Sequence, residues 1–229
     1  MADDRVMLIT GASSGIGEAT ARRAAGACYR LVLAARSADK LQALAAELGG
    51  EERAIAVPAD VTHWDDNEAL VAAALKHFGR LDVVYANAGI YAPRGWLNST
   101  PQHWRAMVLT NVIGAAYTVR AAIPALIKAK GHFLISGSAA GRRSIPGSLY
   151  SVTKWAVSGM GESIRADLNG TGVRTTVIAP GGTETPFFDD PQAGRLEADD
   201  VARAVMYAIS QPPHVDVNEI LVRPTAQDH

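Results

Sequence analysis

Short apolar runs alternate along the chain with longer, alanine-rich segments of helical period. The runs cover 6–9, 31–34, 54–57, 83–86, 132–136, 173–179 and 220–222. They are apolar throughout instead of alternating with polar residues, which is typical of strands covered on both faces. The segments between them are long enough for crossover helices, predicted at 15–25, 38–48, 65–78, 102–129, 148–168 and 198–210. The pattern predicts an α/β fold, a doubly wound parallel sheet of about seven strands with helices on both faces.

The composition agrees with one globular unit. The 229 residues suit a single large domain over 1–229, and no stretch has the composition of an interdomain linker. Hydrophobic residues make up 48% and charged residues 20%, and the formal net charge of -1 gives nucleic-acid binding no electrostatic support. The six histidines are scattered without ligand spacing, so we expect no metal site.

Export and membrane insertion are not expected. The N-terminus lacks both the basic start and the long apolar centre of a signal peptide. Cys28 is the single cysteine and cannot form an internal disulfide, which fits a reducing cytoplasm. The apolar stretch 106–119 is interrupted by polar residues and is shorter than a membrane span. We therefore expect a cytoplasmic protein with no membrane partner.

A glycine-rich turn follows the first predicted strand and reads Thr-Gly-Ala-Ser-Ser-Gly-Ile-Gly over 10–17. Glycine permits a tight turn and a close approach of the backbone to a pyrophosphate, and the N–H groups and dipole at the helix start favour the anion. In an open α/β sheet, ligands bind beyond the carboxyl ends of the strands. The turn therefore predicts a phosphate-binding loop, with an ordinary strand-to-helix turn as the alternative. Its candidate binding residues are Gly11, Ser13, Ser14, Gly15, Ile16 and Gly17.

The end of the second predicted strand indicates which dinucleotide is bound. It reads Ala-Ala-Arg and lacks the carboxylate that accepts hydrogen bonds from the ribose in NAD sites. The guanidinium of Arg36 can bind a phosphate dianion in a fork. The sequence therefore predicts NADP as the cofactor and disfavours NAD. A solvated arginine at a strand end is the alternative interpretation.

Tyr150 and Lys154 stand four residues apart at the start of a predicted helix, on one face. An ammonium about 4 Å from a phenol stabilises the phenolate by about 4 kcal/mol at an effective dielectric constant of about 20. This interaction would bring the pKa of Tyr150 down toward neutrality, so that the phenol could exchange a proton with a carbonyl or alcohol oxygen. The alternative is an ordinary surface tyrosine and lysine.

Three motifs occur together in one order: the glycine-rich turn at 10–17, Asn-Ala-Gly at 87–89 and Tyr-x-x-x-Lys at 150–154. On these motifs the sequence resembles the short-chain dehydrogenase/reductase family over essentially the whole chain. The resemblance implies a Rossmann-like fold and a catalytic tetrad of Asn111, Ser138, Tyr150 and Lys154. Tyr150 would be the acid/base, and Ser138 would hydrogen-bond the substrate oxygen. Lys154 would bind the nicotinamide ribose and lower the pKa of Tyr150, and Asn111 would hold a water that links Lys154 to solvent.

The same resemblance implies further cofactor contacts. It places Asp60 and Val61 against the adenine, Asn87, Ala88 and Gly89 in the turn after the fourth strand, and Pro180, Gly181, Thr183 and Thr185 beside the nicotinamide. An aspartate after a strand and a Pro-Gly pair also occur in plain turns. The chain departs from the family where Ser-Gly-Ser at 136–138 replaces adjacent serines, so Ser136 is the alternative to Ser138. Ala-Asn-Ala-Gly at 86–89 also replaces the frequent Asn-Asn-Ala-Gly.

These features predict an oxidoreductase that transfers a hydride between NADP(H) and a small-molecule carbonyl or secondary alcohol. The alternatives are a non-catalytic NADP-binding sensor or scaffold, and an epimerase or dehydratase on the same fold. The family's dimer-forming helices correspond to those carrying Asn111 and Tyr150, which implies a homo-oligomer, either a dimer or a tetramer.

Substrate contacts are expected from loops beyond the strand ends, with a short lid near 186–196. The candidate positions are Tyr91, Trp96, Arg142, Arg143, Ile145, Phe187 and Phe188. Arg142 and Arg143 could attract an anionic substrate, but solvated arginines on a loop are the preferred interpretation.

Overall fold

The computed structural model describes residues 4–186 and 194–227 and shows the predicted alternation of strands and helices. The strands are β1 (Val6–Thr10), β2 (Arg30–Ala35), β3 (Ala54–Pro58), β4 (Val83–Ala86), β5 (His132–Ser136), β6 (Arg174–Pro180), β7 (Thr183–Glu184), β8 (Leu196–Glu197) and β9 (Glu219–Val222). The helices are α1 (Gly15–Gly26), α2 (Ala38–Glu47), α3 (Trp64–Phe78), α4 (Pro101–Val108), α5 (Ala115–Ala129), α6 (Leu149–Asp167) and α7 (Ala198–Ser210). The ends of the predicted strands and helices lie within one residue of these bounds.

Seven of the strands form one parallel sheet in the order β3-β2-β1-β4-β5-β6-β9. The five inner strands are buried on both faces, as their continuous apolar sequences predicted, whereas the edge strands β3 and β9 are partly exposed; Met7, Leu8 and Ile9 of β1 are fully buried. One core layer packs the sheet against α3, α5 and α6, and the other packs it against α1, α2 and α7. The order reverses between β1 and β4, and this reversal opens a crevice beyond the carboxyl ends of the strands. The predicted doubly wound, Rossmann-like fold is confirmed.

The predicted long helix at 102–129 is interrupted. A π-helical turn, Leu109–Gly114, joins α4 to α5. Gly114 allows close packing here, because a Cβ at this position would lie 2.7 Å from the Cγ2 of Val61. Single π turns within α-helices are frequent at functional sites, and this one carries Asn111.

The same helical stretch is longer and more apolar than the sequence interpretation assumed. Pro101–Ala129 spans 29 residues, and the mean hydropathy of its most apolar 18 residues is 1.4. Length and composition alone would therefore allow this helix to cross a membrane. Considering only 106–119 was wrong, because the helix continues on both sides. In the folded chain, Ala122 and Leu126 are fully buried in the core layer beside the sheet. Of the most apolar stretch of the helix, 39% is buried in the fold.

A second, two-stranded parallel pairing was not predicted. Thr183 of β7 pairs with Leu196 of β8, and Glu184 pairs with Glu197. This pairing brings together the two ends of the segment expected to form the lid near 186–196. Residues 187–193 of that segment lie outside the described residues, so the lid stays a prediction.

Candidate active site

One cavity of about 800 Å³ follows the carboxyl ends of the strands across the order reversal. Its lining runs from the ends of β2 and β3, past the glycine-rich turn, to the start of α6. The sequence-predicted residues that line it are Gly11, Ser13, Ser14, Gly15, Ile16, Arg36, Asp60, Val61, Asn87, Ala88, Gly89, Tyr91, Ser138, Arg143, Ile145, Tyr150, Lys154, Pro180, Gly181, Thr183 and Thr185. Chain segments far apart in sequence therefore meet at one concave surface.

The glycine-rich turn has the geometry of an anion cradle. Gly11 and Gly15 adopt left-handed backbone conformations, with φ of 66° and 56°. Ser14 precedes α1 without capping it through its side chain, so the first N–H groups of the helix receive no side-chain acceptor from this residue. Gly17 packs against the turn and does not line the cavity. A Cβ at this position would overlap the carbonyl oxygen of Gly11, so the contact requires glycine. Its role is to let α1 start against the turn.

Asn87 connects the turns that follow β1, β4 and β5. Its backbone N–H donates to Thr10 Oγ1 at 3.0 Å, and its Nδ2 donates to the Thr10 carbonyl at 3.1 Å. Asn87 Oδ1 accepts from the hydroxyl of Ser136 at 3.0 Å, and Ser136 Oγ also lies 2.8 Å from the hydroxyl of Tyr85. These contacts occupy Ser136 in holding the turns together. The sequence analysis did not single out Thr10 for this role.

Ser138, two residues farther on, faces the phenol of Tyr150. The side chains of Ser138 and Tyr150 are hydrogen-bonded to each other. Ser138 Oγ also accepts the N–H of Ala140 at 3.1 Å, which fixes the serine at the start of a short 3₁₀ turn, Ala139–Arg142. Of the two serines that the sequence left open, Ser138 is therefore the one placed beside the tyrosine.

Tyr150 and Lys154 occupy the first turns of α6, as the spacing predicted. The side chain of Ser148 accepts the N–H of Ser151 at 3.1 Å and so caps the helix start immediately before Tyr150. Lys154 Nζ lies 5.6 Å from the centroid of the Tyr150 ring and donates to the carbonyl oxygen of Ser136 at 2.7 Å. Lys154 is only 4% exposed. The ammonium is thus buried close to the Tyr150 ring, with the carbonyl oxygen of Ser136 as an acceptor.

The protonation equilibria differ from the expectation. Burial raises the pKa of Tyr150 to about 12, against the opposing effect of the hydrogen bond with Ser138 and together with a smaller contribution from Tyr91. Burial also lowers the pKa of Lys154 to about 8. The expectation that Lys154 lowers the pKa of Tyr150 is therefore wrong for this arrangement, because desolvation outweighs the attraction of a cation held at another acceptor.

Asn111 binds the loop after β4 to α6 and does not itself line the cavity. Its Oδ1 accepts the N–H of Ile90 at 2.8 Å, and its Nδ2 donates to the Ile90 carbonyl at 2.9 Å and to Thr153 Oγ1 at 3.2 Å. A Cβ added at Gly89 would lie 3.3 Å from Asn111 Oδ1 and 3.8 Å from Lys154 Nζ. The π turn therefore brings the asparagine to the buried side of the lysine.

Asp60 and Arg36 lie at the other end of the cavity. Asp60 Oδ1 accepts from the N–H and the hydroxyl of Thr62, at 2.9 Å and 2.8 Å. Burial acts to raise the pKa of Asp60, but the bonds from Thr62 and the positive charge of Arg36 outweigh it and lower the pKa. Ser37, not singled out in the sequence, also lines this end. A guanidinium and two hydrogen-bonding groups are thus available to a polar ligand.

Four expected substrate positions do not lie in the described cavity lining. Trp96 is 58% exposed and packs edge-on against Trp104, with centroids 5.7 Å apart. Arg142 turns toward the start of β9, where its Nε donates to Glu219 Oε1 at 2.7 Å. Both predictions were wrong because each side chain finds a partner outside the cavity. Phe187, like Phe188, lies outside the described residues.

Part of the cavity wall comes from residues that the sequence analysis missed. They include Arg94, Arg195, Pro224, Ala226 and Gln227. Gln227 Oε1 accepts the N–H of Gly182 at 2.9 Å, so the C-terminal segment holds the loop after β6. Arg195 lies 3.6 Å from Glu184. No local motif marks these residues; the pairing of β6 with β9 brings the C-terminal segment to the site.

The family of the chain follows from comparison with known proteins. Residues 5–195 match the short chain dehydrogenase model. An uncharacterized oxidoreductase of Staphylococcus haemolyticus is 38% identical over 225 residues, which cover 96% of this chain and 97% of that protein. The chain belongs to the short-chain dehydrogenase/reductase family of oxidoreductases.

Solved structures agree in both fold and extent. An alcohol dehydrogenase from the archaeon Thermococcus sibiricus, complexed with 5-hydroxy-NADP, has a TM-score of 0.91 and 32% identity over 98% of each chain. A 3-ketoacyl-(acyl-carrier-protein) reductase from Brucella melitensis, complexed with NADH, has a TM-score of 0.88 and 29% identity, covering 96% of this chain and 97% of its own. The chain is similar to both over almost its entire length.

Proposed function

We propose that this protein transfers a hydride between a nicotinamide dinucleotide and a small carbonyl or secondary alcohol, with Tyr150 as the acid/base. The observation that carries the proposal is the single cavity that joins the glycine-rich turn to the hydrogen-bonded pair of Ser138 and Tyr150 above Lys154. In the reducing direction a carbonyl, NADPH and a proton give an alcohol and NADP⁺. The hydride forms the new C–H bond and the phenol supplies the proton of the new O–H bond.

The described residues fit a dinucleotide. The left-handed glycines and the start of α1 suit a pyrophosphate, and Asp60 at one end of the cavity suits a hydrogen-bond donor of the base. The bound cofactor would supply the hydride. Lys154, which already donates one hydrogen bond to Ser136, has further N–H groups that would bind a ribose hydroxyl. The nucleotides in the complexes of the archaeal and Brucella enzymes support this assignment.

Ser138 and Tyr150 divide the work at the substrate oxygen. Both hydroxyls are on one wall of the cavity, so a carbonyl oxygen can accept a hydrogen bond from each. A phenol whose pKa is about 12 is protonated at neutral pH, so it holds the proton that the alkoxide formed by hydride transfer requires. We infer that carbonyl reduction is the favoured direction near pH 7, whereas alcohol oxidation gains from a rise in pH. Asn111 keeps the loop after β4 and α6 in register beneath this pair.

We further propose NADP as the preferred cofactor. Arg36 follows β2 and lines the cavity near Asp60, and among the described residues it forms no ion pair, which leaves its guanidinium available to a 2′-phosphate. Replacing Arg36 by alanine should lower kcat/KM for NADPH about tenfold to a hundredfold, because a charged hydrogen-bond pair is lost. The value for NADH should change less than about threefold.

Arg30 offers the matched control for this variant. It begins the same strand at the opposite end of the sheet, where it pairs with Asp4 at 3.1 Å. The Arg30→Ala variant should keep the parent's ratio of NADPH to NADH efficiency in steady-state assays. Equal losses with both cofactors in Arg36→Ala would contradict the assignment of Arg36 to the phosphate.

The proposed activity is tested by initial rates of NADPH oxidation with a panel of ketones, aldehydes and oxo acids. We expect stoichiometric formation of NADP⁺ and alcohol. Tight NADPH binding without turnover of any panel member would favour a sensor or scaffold. Conversion of a substrate without net NADPH oxidation would favour an epimerase or dehydratase. Either result would overturn the proposal.

The homo-oligomer stays a prediction that one surface supports. Val152 and Trp155 of α6 are 54% and 48% exposed, and Val108 on α4 is 37% exposed. Apolar side chains exposed together on neighbouring helices are typical of an interface between subunits. Light scattering of the parent and of Trp155→Glu would measure the mass directly, and a larger parent mass that falls in the variant is expected. The cytoplasmic location likewise stays a prediction.

A further inference from the structure

The cavity carries an excess of positive charge. Its lining contains five cationic side chains: Arg36, Arg94, Arg143, Lys154 and Arg195. Among the residues that the structure describes, Asp60 is the one carboxylate in that lining. A cavity whose walls hold mostly one sign of charge concentrates ligands of the opposite sign.

Three of the five cations have a partner or a role already proposed. Arg36 lies close enough to Asp60 to lower the pKa of that carboxyl, and it is the residue proposed for the 2′-phosphate. Lys154 donates to the carbonyl of Ser136, and Arg195 lies 3.6 Å from Glu184. Over 4–186 and 194–227 no carboxylate lies within ion-pair distance of Arg94 or Arg143, and neither has a role in the proposed cofactor site. Among the described residues, these two guanidiniums are therefore the cavity charges that remain for a substrate.

Hydrogen bonds fix the backbone at both positions. The carbonyl of Arg94 accepts from Asn98 Nδ2 at 2.8 Å. The carbonyl of Arg143 accepts from the hydroxyl of Ser151 at 3.0 Å and from Trp155 Nε1 at 3.3 Å. Both arginines are thus anchored at the main chain while their side chains border the cavity. Arg142 differs, because its guanidinium is paired with Glu219.

The two arginine loops are also joined to each other. The N–H of Gly95 donates to the carbonyl of Gly147 at 2.8 Å. Gly147 has a φ of 68°, and a Cβ there would lie 2.7 Å from the nitrogen of Gly95, so the contact requires glycine. This junction places the segment after Arg94 directly against the segment after Arg143. The two loops that carry Arg94 and Arg143 are therefore held together at this contact.

The joined loops lie next to Tyr150, at the end of the cavity where the reaction is proposed to occur. Tyr91, three residues before Arg94, packs edge-on against the ring of Tyr150 with centroids 5.6 Å apart. Ile145, two residues after Arg143, lines the same cavity. A substrate whose carbonyl oxygen met Tyr150 would therefore lie near the loops that carry these two guanidiniums.

We propose that Arg94 and Arg143 bind a carboxylate of the substrate, so that the protein reduces oxo acids in preference to neutral carbonyl compounds. The inference rests on the proposed function, since it names the substrate class of the same site. Paired guanidiniums suit a carboxylate because each presents N–H donors in a plane that matches the two oxygens. It also reverses the sequence interpretation of Arg143 as a solvated loop residue.

The test compares oxo acids of four to six carbons with their methyl esters, using NADPH and the variants Arg94→Met, Arg143→Met and the double variant. The parent should favour the acid of at least one pair by tenfold or more in kcat/KM. Each single variant should lose about tenfold on the acid, and the double variant about a hundredfold, with ester turnover changed less than about threefold. Arg142→Met is the matched control and should keep the parent's preference. A lysine at either position should restore part of the acid activity.

Ionic strength and binding separate this inference from the proposed function. Raising NaCl should lower kcat/KM for the acid and leave the ester nearly unchanged. If the parent reduces esters as efficiently as acids, or the double variant keeps the acid preference, the carboxylate site is overturned and the oxidoreductase proposal stands.

If neither acids nor esters are reduced, calorimetry of succinate and of neutral succinamide with the NADPH-loaded protein decides the outcome. Tighter binding of succinate, lost in the double variant, would support the anion site although the proposed reaction fails. Equal binding of the two compounds would overturn the site as well.

Discussion

The polar side chains at the two ends of the parallel sheet differ in the partners that the protein provides for them. At the amino ends of the strands, Asp82 and Arg174 pair with backbone and side-chain groups, although His132 Nδ1 and Thr175 Oγ1 have no hydrogen-bond partner among the described residues. At the carboxyl ends, burial raises the pKa of Tyr150 and lowers that of Lys154, and two arginines line a cavity. One end therefore stabilises the fold, while the other sacrifices stability to hold groups ready for a ligand.

Asp82 and Arg174 are two polar groups at the amino end whose hydrogen bonds are made within the protein. Asp82 is 4% exposed; its Oδ2 accepts the N–H of Val6 at 2.8 Å, and its two oxygens accept from Arg80 at 2.8 Å and 2.6 Å. Arg174 donates to the carbonyls of Ala208 and Val215, at 3.1 Å and 3.2 Å, and so caps the carboxyl end of α7. Such contacts tie the strand starts to the neighbouring loop and helix.

Among variants that keep Tyr150, replacing Lys154 by methionine should have the largest effect, and it should move activity and stability in opposite directions. Loss of the ammonium should lower kcat for carbonyl reduction at least about a hundredfold. In the folded chain the pKa of Lys154 is about 8 against an ordinary 10.5, so folding disfavours the charged form and its full cost applies below pH 8. Removing it should raise the free energy of unfolding at pH 7 by about 2 kcal/mol, after the lost bond to Ser136 is subtracted.

Urea unfolding at several pH values checks this prediction. The parent should gain stability relative to the variant as the pH rises from about 8 to 10.5, because the unfolded chain then holds the proton that the folded chain has released. A variant less stable than the parent at pH 7 would show that Lys154 belongs to the stabilising part of the molecule.

Replacing Asp82 by asparagine should have the converse outcome. The variant keeps the size of the side chain but loses the charge-assisted bonds to Arg80 and weakens the bond to Val6. The free energy of unfolding should fall by about 2 to 3 kcal/mol in denaturant titrations. The kcat/KM of the folded enzyme should stay within about twofold, since Asp82 is at the opposite end of the sheet. A tenfold loss of activity at full folding would contradict the separation of the two ends.

His132 should make a smaller, acid-dependent contribution at the amino end. Burial, with the nearby charge of Arg174, lowers the pKa of His132 from 6.5 to about 3. Its contribution to stability is therefore complete above pH 6.5 and is lost as the pH falls toward 3, because the unfolded chain then binds a proton that the folded chain excludes. Between pH 7 and pH 5 the parent should lose about 2 kcal/mol more than His132→Gln. Equal losses in thermal or urea unfolding would show that His132 does not titrate this way.

The hydrophobic pattern predicted the fold because a strand that is covered on both faces has a continuous run of apolar residues. Every residue of β1 is apolar except Thr10 at its end. The hydroxyl of Thr10 accepts the backbone N–H of Asn87, in the turn after β4. The glycine-rich turn was predictable for a similar reason, since Gly11 and Gly15 must adopt backbone conformations that other residues avoid. Both signals are contained in short stretches of sequence.

What escaped prediction depends on contacts between distant segments. The π turn at Asn111 is set by packing against Val61 and Ile90, which no helical period reveals. Arg142 and Arg143 are adjacent and chemically identical, and only the position of Glu219 on β9 decides which one faces the cavity. The pKa of Tyr150 was predicted in the wrong direction because spacing gives the proximity of Lys154 but not the burial of both groups.

The most direct test of the account is the Tyr150→Phe variant, measured by single-turnover oxidation of bound NADPH with a carbonyl substrate. The phenyl ring keeps the packing against Tyr91 and removes only the hydroxyl that meets Ser138. The account predicts NADPH binding within about twofold of the parent and a hydride-transfer rate lowered about 10² to 10⁴-fold, the range of general acid catalysis. A rate within about tenfold of the parent, with NADPH bound normally, would contradict Tyr150 as the proton donor.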